Sequence, residues 1–254
     1  MSRYLVIGAT SAIARACCRE WLLPTSRAEA EDPPLFFLVG RDAEKLEHTA
    51  VDLLGRGASG AKWVAMDLLD IHAHGDILEE AESFLGGIEV VLVAHGTLPD
   101  QNECEVDAEQ AVREFSLNAT VTISLLNRTA RIMTERGRGV IAAITSVAGD
   151  RGRPSNYVYG SAKAAVSVFC EGLRARVFRN GVHVIDIRPG FVDTPMTRGL
   201  NLPRLLVAAP DMVARRIVRG IRRRKDVLYV PGYWALILWV IRNIPSPIFK
   251  RMSL

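Results

Sequence analysis

Tyr4-Leu5-Val6-Ile7-Gly8-Ala9-Thr10-Ser11-Ala12-Ile13-Ala14 decides how the chain is read. Its four leading apolar residues predict a strand covered on both faces. Gly8 permits a tight turn, and the pattern from Ala12 to Leu23 predicts a helix. A helix that opens directly after a strand presents free N–H groups and a positive dipole end, which suits a phosphate. Gly8, Thr10, Ser11, Ala12 and Ile13 are therefore candidate phosphate-binding residues, with hydroxyls supplied by Thr10 and Ser11. Alone the signal is weak. The usual dinucleotide fingerprint has three glycines, and Ala12 and Ala14 stand at the second and third. A plain strand–helix turn reads the same way.

The unit repeats outward. Leu35–Val39 precedes a helix near 43–54, Trp63–Met66 one near 77–85, and Ile88–Val93 one near 109–135. Val140–Ile144 precedes a helix near 157–178, Val182–Ile187 comes next, and Val227–Val230 reads as a last strand. Strands of near-continuous hydrophobicity alternating with helices predict an α/β fold: a Rossmann-like, doubly wound parallel sheet in a single domain. We expect its body at 1–231, with a short apolar and basic C-terminal extension at 232–254. Ligands of such sheets bind beyond the carboxyl ends of the strands. The polar stretch Pro24–Pro34 reads as a surface loop.

At 254 residues, 49% apolar and 24% charged, the chain has ordinary globular composition and room for one large core. Net charge is +4, with seven basic residues between Arg215 and Lys225. Cys17, Cys18, Cys104 and Cys170 show no metal-ligand spacing, so free thiols in a reducing, cytoplasmic setting are expected, with no metal. No secretion signal is expected. The longest apolar run, nine residues from Tyr233 to Ile241, falls short of the ~20 a spanning helix needs.

The second strand ends Val39-Gly40-Arg41-Asp42. An arginine here accommodates the 2′-phosphate of NADP, whereas an acidic residue grips the ribose of NAD. Arg41 favours NADP, and Asp42 leaves NAD open. Asp67, after the third strand, either bonds an adenine amino group or caps the next helix. Tyr159 and Lys163, four apart on a helix, share one face. A nearby ammonium would lower the phenol pKa toward the working range. Ser146 lies just past the fifth strand and could bond a substrate carbonyl. Asn118 could hold a water that relays protons. Each is also readable as an ordinary helix or turn residue; their joint order carries the weight.

That order resembles the short-chain dehydrogenase/reductase family over nearly the whole chain. The matching pieces are 8–14, Gly40-Arg41, Asp67-Leu68, Ala94-His95-Gly96, Asn118, Ser146, Tyr159-x-x-x-Lys163 and Pro189-Gly190-Phe191-Val192-Asp193-Thr194. The resemblance implies a catalytic tetrad of Asn118, Ser146, Tyr159 and Lys163. It implies carbonyl reduction or alcohol oxidation with NADP(H), Tyr159 exchanging the proton and Lys163 holding the nicotinamide ribose. Leu68, Ala94, Gly96, Pro189, Gly190, Val192 and Thr194 would join the cofactor seat, and a homodimer or homotetramer is implied. His95 departs from the family's usual small residue; a structural polar role is preferred for it.

In the C-terminal third, Val213, Ile217 and Ile221 predict the apolar face of a helix over 211–225. The tail 233–251 reads either as an oligomer contact beside a solvated basic helix or as a peripheral membrane contact. Tyr233-Trp234 through Arg242, Ile244-Pro245 and Ile248-Phe249-Lys250-Arg251, with 155–161, resembles the decaprenylphosphoryl 2-keto-erythro-pentose reductases within the family. That implies a lipid-linked keto-sugar substrate. A non-catalytic NADP-binding sensor or assembly protein is the other reading. A nucleic-acid partner is not expected, since no recognition motif accompanies the arginines.

Overall fold

A computed structural model describes residues 2–23 and 32–252. Seven strands form one parallel sheet, β1 (Arg3–Ile7), β2 (Leu35–Gly40), β3 (Gly60–Ala65), β4 (Val90–Val93), β5 (Gly139–Ile144), β6 (Val182–Pro189) and β7 (Val227–Val230), in the order 3-2-1-4-5-6-7. The expected doubly wound sheet is thus present. Phe36, Phe37, Leu38 and Val39 have no exposed surface, as strands covered on both faces require.

Alternate residues of each strand feed opposite layers. Leu5, Ile7, Phe37 and Val39 pack on one side with Leu125, Val166 and other residues of the helices there. Val6, Phe36 and Leu38 pack on the other with Ala14, Cys17, Cys18, Leu46 and Ile217. The first layer is built from α3 (His74–Leu85), α6 (Val121–Arg136) and α7 (Tyr157–Val177). The second is built from α1 (Ala12–Trp21), α2 (Ala43–Gly55) and α8 (Pro210–Arg222). Val213, Ile217 and Ile221 are buried as the spacing of α8 predicted. All four cysteines are buried free thiols.

Two details are added. The helix expected over 109–135 runs without a break from Ala108 to Arg136, as α5 (Ala108–Phe115), a π-turn at Ser116–Thr120 and then α6, and a short helix α4 (Gln101–Val106) precedes it. Asp100 and Asp107 cap α4 and α5 by accepting from Asn102 N and from Glu109 and Gln110 N, which starts each short helix afresh. The tail folds into α9 (Tyr233–Asn243) and α10 (Ser246–Phe249). Of the loop expected at Pro24–Pro34, residues 24–31 lie outside the described residues. No described helix is long and apolar enough to cross a membrane.

Candidate active site

The strand order reverses between β1 and β4, and their carboxyl ends open a crevice there. Gly8 stands at φ +80°, and a Cβ on it would fall 2.4 Å from the backbone N of His95. Gly8 is thus required by the approach of the β4 loop as well as by its turn. Beyond it opens a cleft of about 260 Å³, lined by Gly8, Thr10, Ser11, Ala12, Ile13 and Arg41 on one side. Leu68, Ala94, Gly96 and Thr194 line it further along. A larger hollow of about 530 Å³, lined by Asn127, Arg128, Arg131 and Arg176 among others, contains none of the candidate residues.

The cleft suits a dinucleotide. Ser11 makes no side-chain cap to α1, so the first N–H groups of this helix, beside Ser11, Ala12 and Ile13, remain available to an anion. Ala14 is fully buried in the core layer and does not line the cleft. The question raised by the missing glycines therefore narrows to Ala12. Arg41 lines the cleft, whereas Asp42 does not. Asp42 instead caps α2, its carboxylate accepting from Lys45 N at 3.0 Å and Lys45 Nζ at 2.6 Å. The bond to the Lys45 side chain holds its pKa below the ordinary carboxylate value.

Other candidates fall outside this cleft. Asp67 accepts from Leu69 N at 3.0 Å and stabilises its own turn, while its neighbour Leu68 lines the cleft. Pro189, Gly190 and Val192 also lie off the lining. Gly190 donates its N–H to Val230 O, and a Cβ there would meet Trp234 Nε1 at 1.8 Å. The indole of α9 covers this backbone. Of the Pro189–Thr194 stretch, Thr194 faces the cleft, together with Pro195 and Met196 beyond it.

Asn118, Ser146, Tyr159 and Lys163 do not line the cleft but lie behind Gly96, where α7 sits tightly on the 3₁₀ turn Val147–Asp150. A Cβ on Gly149 would fall 2.7 Å from Ala164 N, and one on Gly160 2.8 Å from Ala148 O. These two glycines let the turn and helix touch through their backbones, which brings the Ser146 hydroxyl close enough to Tyr159 to lower its phenol pKa. Ser146 Oγ also accepts from Ala148 N at 3.1 Å. Lys163 Nζ lies 5.6 Å from the centre of the Tyr159 ring and donates to Ile144 O at 3.4 Å.

The electrostatics correct one expectation. Lys163 does not pull the Tyr159 phenol down; desolvation pushes it up to about 12, opposed by the Ser146 hydroxyl. Burial instead lowers the Lys163 ammonium to about 8, opposed by the negative charge of Asp186. Tyr159 is thus a protonated acid at neutral pH, and Lys163 is the group poised to change charge.

Asn118 sits in the π-turn, fully buried. Its amide donates to Glu114 O at 3.0 Å and Thr97 Oγ1 at 3.2 Å, while Oδ1 accepts from Thr97 N at 3.2 Å. Thr97 in turn donates to the Glu114 carboxylate. Gly96, at φ +149°, leaves open the space where a Cβ would meet Asn118 Oδ1 at 2.8 Å and Lys163 Nζ at 3.2 Å. Cleft, Asn118 and Lys163 therefore converge on one glycine. His95 Nε2 lies 3.2 Å from both Leu117 O and Thr122 Oγ1. Burial, then the Lys163 charge, lowers its pKa to about 3, so it stays neutral and acts as a structural polar group.

A family model described as short chain dehydrogenase matches residues 3–204. The chain belongs to the short-chain dehydrogenase family. It is 36% identical over 217 residues to an uncharacterised oxidoreductase of Mycobacterium tuberculosis strain H37Rv, covering 85% of this chain and 86% of the relative. It is 32% identical over 249 residues to an uncharacterised oxidoreductase of Streptomyces coelicolor from the mprA 5′ region, covering 98% and 94%. Among solved structures, a short chain dehydrogenase/reductase family protein superposes with TM-score 0.77 at 28% identity, over 92% of this chain and 97% of the other. Actinorhodin polyketide ketoreductase, solved with NADPH, superposes with TM-score 0.78 at 20% identity, over 96% and 98%, and shares the fold.

This short-chain dehydrogenase also carries polar groups that sequence reading missed. Asp186 is buried on β6, accepting from Thr145 Oγ1 at 2.5 Å and Arg188 Nε at 2.7 Å. Arg188 continues to Asp150 at 3.1 Å and the Tyr229 hydroxyl at 2.9 Å, and Tyr229 donates to Asp150 at 2.6 Å. Asp186 is the acidic charge that supports Lys163 from behind. The signal was present: two charges two apart in an apolar strand must share a face.

Proposed function

We propose that this oxidoreductase reduces a ketone to a secondary alcohol with NADPH, and that the ketone belongs to a sugar carried on a polyprenyl phosphate. One observation carries the reductase reading: Asn118 and Lys163 abut Gly96, which lines the cleft that also holds Arg41 and the uncapped start of α1, and Tyr159 and Ser146 stand beside Lys163. Gly8–Ile13 would hold the pyrophosphate, Arg41 the 2′-phosphate, and Lys163 the nicotinamide ribose. Such a cofactor supplies a hydride to the carbonyl carbon. Ser146 orients the carbonyl oxygen by donating a hydrogen bond. Tyr159, kept protonated by burial, gives its proton to that oxygen as negative charge develops. Asn118 fixes the loop that carries Gly96.

Two features support a lipid-linked, anionic substrate. The residues beside Ser146 and Gly190 are covered by an apolar, basic C-terminal segment. The Arg153 guanidinium, between the 3₁₀ turn and α7, makes no direct hydrogen bond or salt bridge among the described residues, and burial lowers its pKa against the opposing charge of Asp150; a phosphate would supply a direct partner. The test is oxidation of NADPH against NADH across a ketone panel that includes keto-sugar polyprenyl phosphates. Turnover should prefer NADPH, require Tyr159 and favour the lipid-linked ketone. NADPH binding without turnover of any ketone would instead favour the non-catalytic sensor.

A further inference from the structure

Helix α9 is apolar on two opposite sides. Inward, Trp234 and Leu238, one turn apart, are buried with Val147 against Phe191, Leu206 and Ile241. Outward, Leu236, Trp239 and Val240 fall at i, i+3 and i+4 and are 68%, 65% and 50% exposed. A helix apolar all round belongs in an interior, yet the outward face of α9 lies open. The open face extends to a neighbouring loop. The Tyr233 hydroxyl donates to Leu206 O at 3.2 Å, and the adjacent Leu205 is 96% exposed.

The segment is held firmly in place. Arg151 donates to the C-terminal carbonyls of α9 and beyond, Ile241 O at 2.5 Å, Arg242 O at 3.0 Å and Ile244 O at 2.7 Å. Its guanidinium also lies 3.8 Å from the Phe249 ring centre. Charge then separates the candidate occupants. After Asp226 the chain contains no acidic residue, while Arg242, Lys250 and Arg251 are exposed. A two-fold contact between copies would set this cationic patch against itself, whereas an anionic lipid surface complements it. Trp and Tyr beside basic residues suit the headgroup boundary. At 11 residues, α9 is about 16 Å long, far short of a ~30 Å hydrocarbon core, so it would lie in the surface plane.

We propose that the outward face of α9, with Leu205 and the basic tail, docks on an anionic lipid bilayer surface. The inner face of the same helix touches Val147, next to Ser146, and Gly190. Docking would therefore hold the reactive hydroxyls one helix away from the headgroups. The inference goes beyond the reductase reading and does not depend on it, because binding needs neither cofactor nor substrate.

The test is flotation of the full chain with phosphatidylcholine vesicles and with vesicles of three parts phosphatidylcholine to one part phosphatidylglycerol. Wild type should float with the anionic vesicles and lose most of that binding at about 1 M salt, where screening shortens to ~3 Å. Leu236→Ser/Trp239→Ser should lower binding at least about tenfold, and Lys250→Gln/Arg251→Gln severalfold. All these side chains are exposed, so melting temperatures should match wild type. The proposal is overturned if wild type floats with neither vesicle, or if Leu236→Ser/Trp239→Ser floats like wild type. It is equally overturned if that variant splits a dimer into monomers and neither it nor wild type binds vesicles, which assigns the face to a second copy.

Discussion

Gly149→Ala tests whether a backbone contact sets the catalytic geometry. The new methyl would stand 2.7 Å from Ala164 N and 2.9 Å from Lys163 C, both main-chain atoms of α7. Neither can rotate away, and ordinary contact begins near 3.4 Å. The turn must therefore retreat from the helix by about 0.7 Å. Gly149 N donates to Ser146 O at 3.1 Å, so Ser146 moves with the turn while Tyr159 stays on the helix. The Ser146 hydroxyl would move away from Tyr159 by a similar amount, enough to disrupt any hydroxyl–hydroxyl hydrogen bond, which needs about 2.5–3.0 Å.

Overpacking of this kind costs about 2 kcal/mol, which for a chain of this size lowers Tm by about 4–8 °C. Misplacement approaching 1 Å at a reacting group costs on the order of 10²-fold in rate. We expect kcat for ketone reduction to fall between about 10- and 100-fold, and NADPH affinity to stay within about twofold because Arg41 and the α1 turn are untouched. The assay pairs steady-state kinetics with NADPH fluorescence titration and thermal melting. Wild-type kcat in a variant with lowered Tm would refute the claim that this contact positions Ser146. An unchanged Tm would show that the close approach itself is relaxed.

Tyr159→Phe should keep NADPH binding and lose about 10²–10⁴-fold in kcat, measured by turnover beside cofactor titration. Arg41→Ala should weaken NADPH by about 10- to 100-fold, the loss of one charge-assisted contact, and leave NADH nearly unchanged; equal effects on both would remove the 2′-phosphate role. Because the Lys163 pKa is lowered to about 8, the ammonium is present below that pH and lost above it. Hence kcat/KM for reduction should be flat at neutral pH and fall about tenfold per unit above about 8; a profile flat to about pH 10 contradicts the assignment. Asp186→Asn strips Arg188 of a buried partner and should cost about 3–5 kcal/mol in urea unfolding. It also removes the charge that raises the Lys163 pKa, so the alkaline limb should move to lower pH.

The fold was legible because strands buried on both faces leave an unambiguous trace. Phe36–Val39 and Ile141–Ala143 read as apolar runs since neither face meets water. What sequence could not resolve was which of two adjacent groups meets the ligand. Arg41 and Asp42 are neighbours, and only the Asp42–Lys45 cap, an i,i+3 pairing easily passed over, shows that Asp42 is engaged elsewhere. The same holds for Gly190, whose motif suggested an open backbone until α9, 44 residues later in the chain, laid Trp234 across it. Asn118 is harder still, since a π-turn leaves no mark in hydrophobic periodicity. The tetrad residues could be named from their joint order along the chain, since each alone reads as an ordinary helix or turn residue. Their meeting depends on features with no local signature: a reversal of strand order between β1 and β4, and a methyl absent at Gly96, Gly149 and Gly160. Chemistry at this site is therefore set as much by where side chains are missing as by where they stand, and the glycines are the positions at which substitution should separate folding from catalysis.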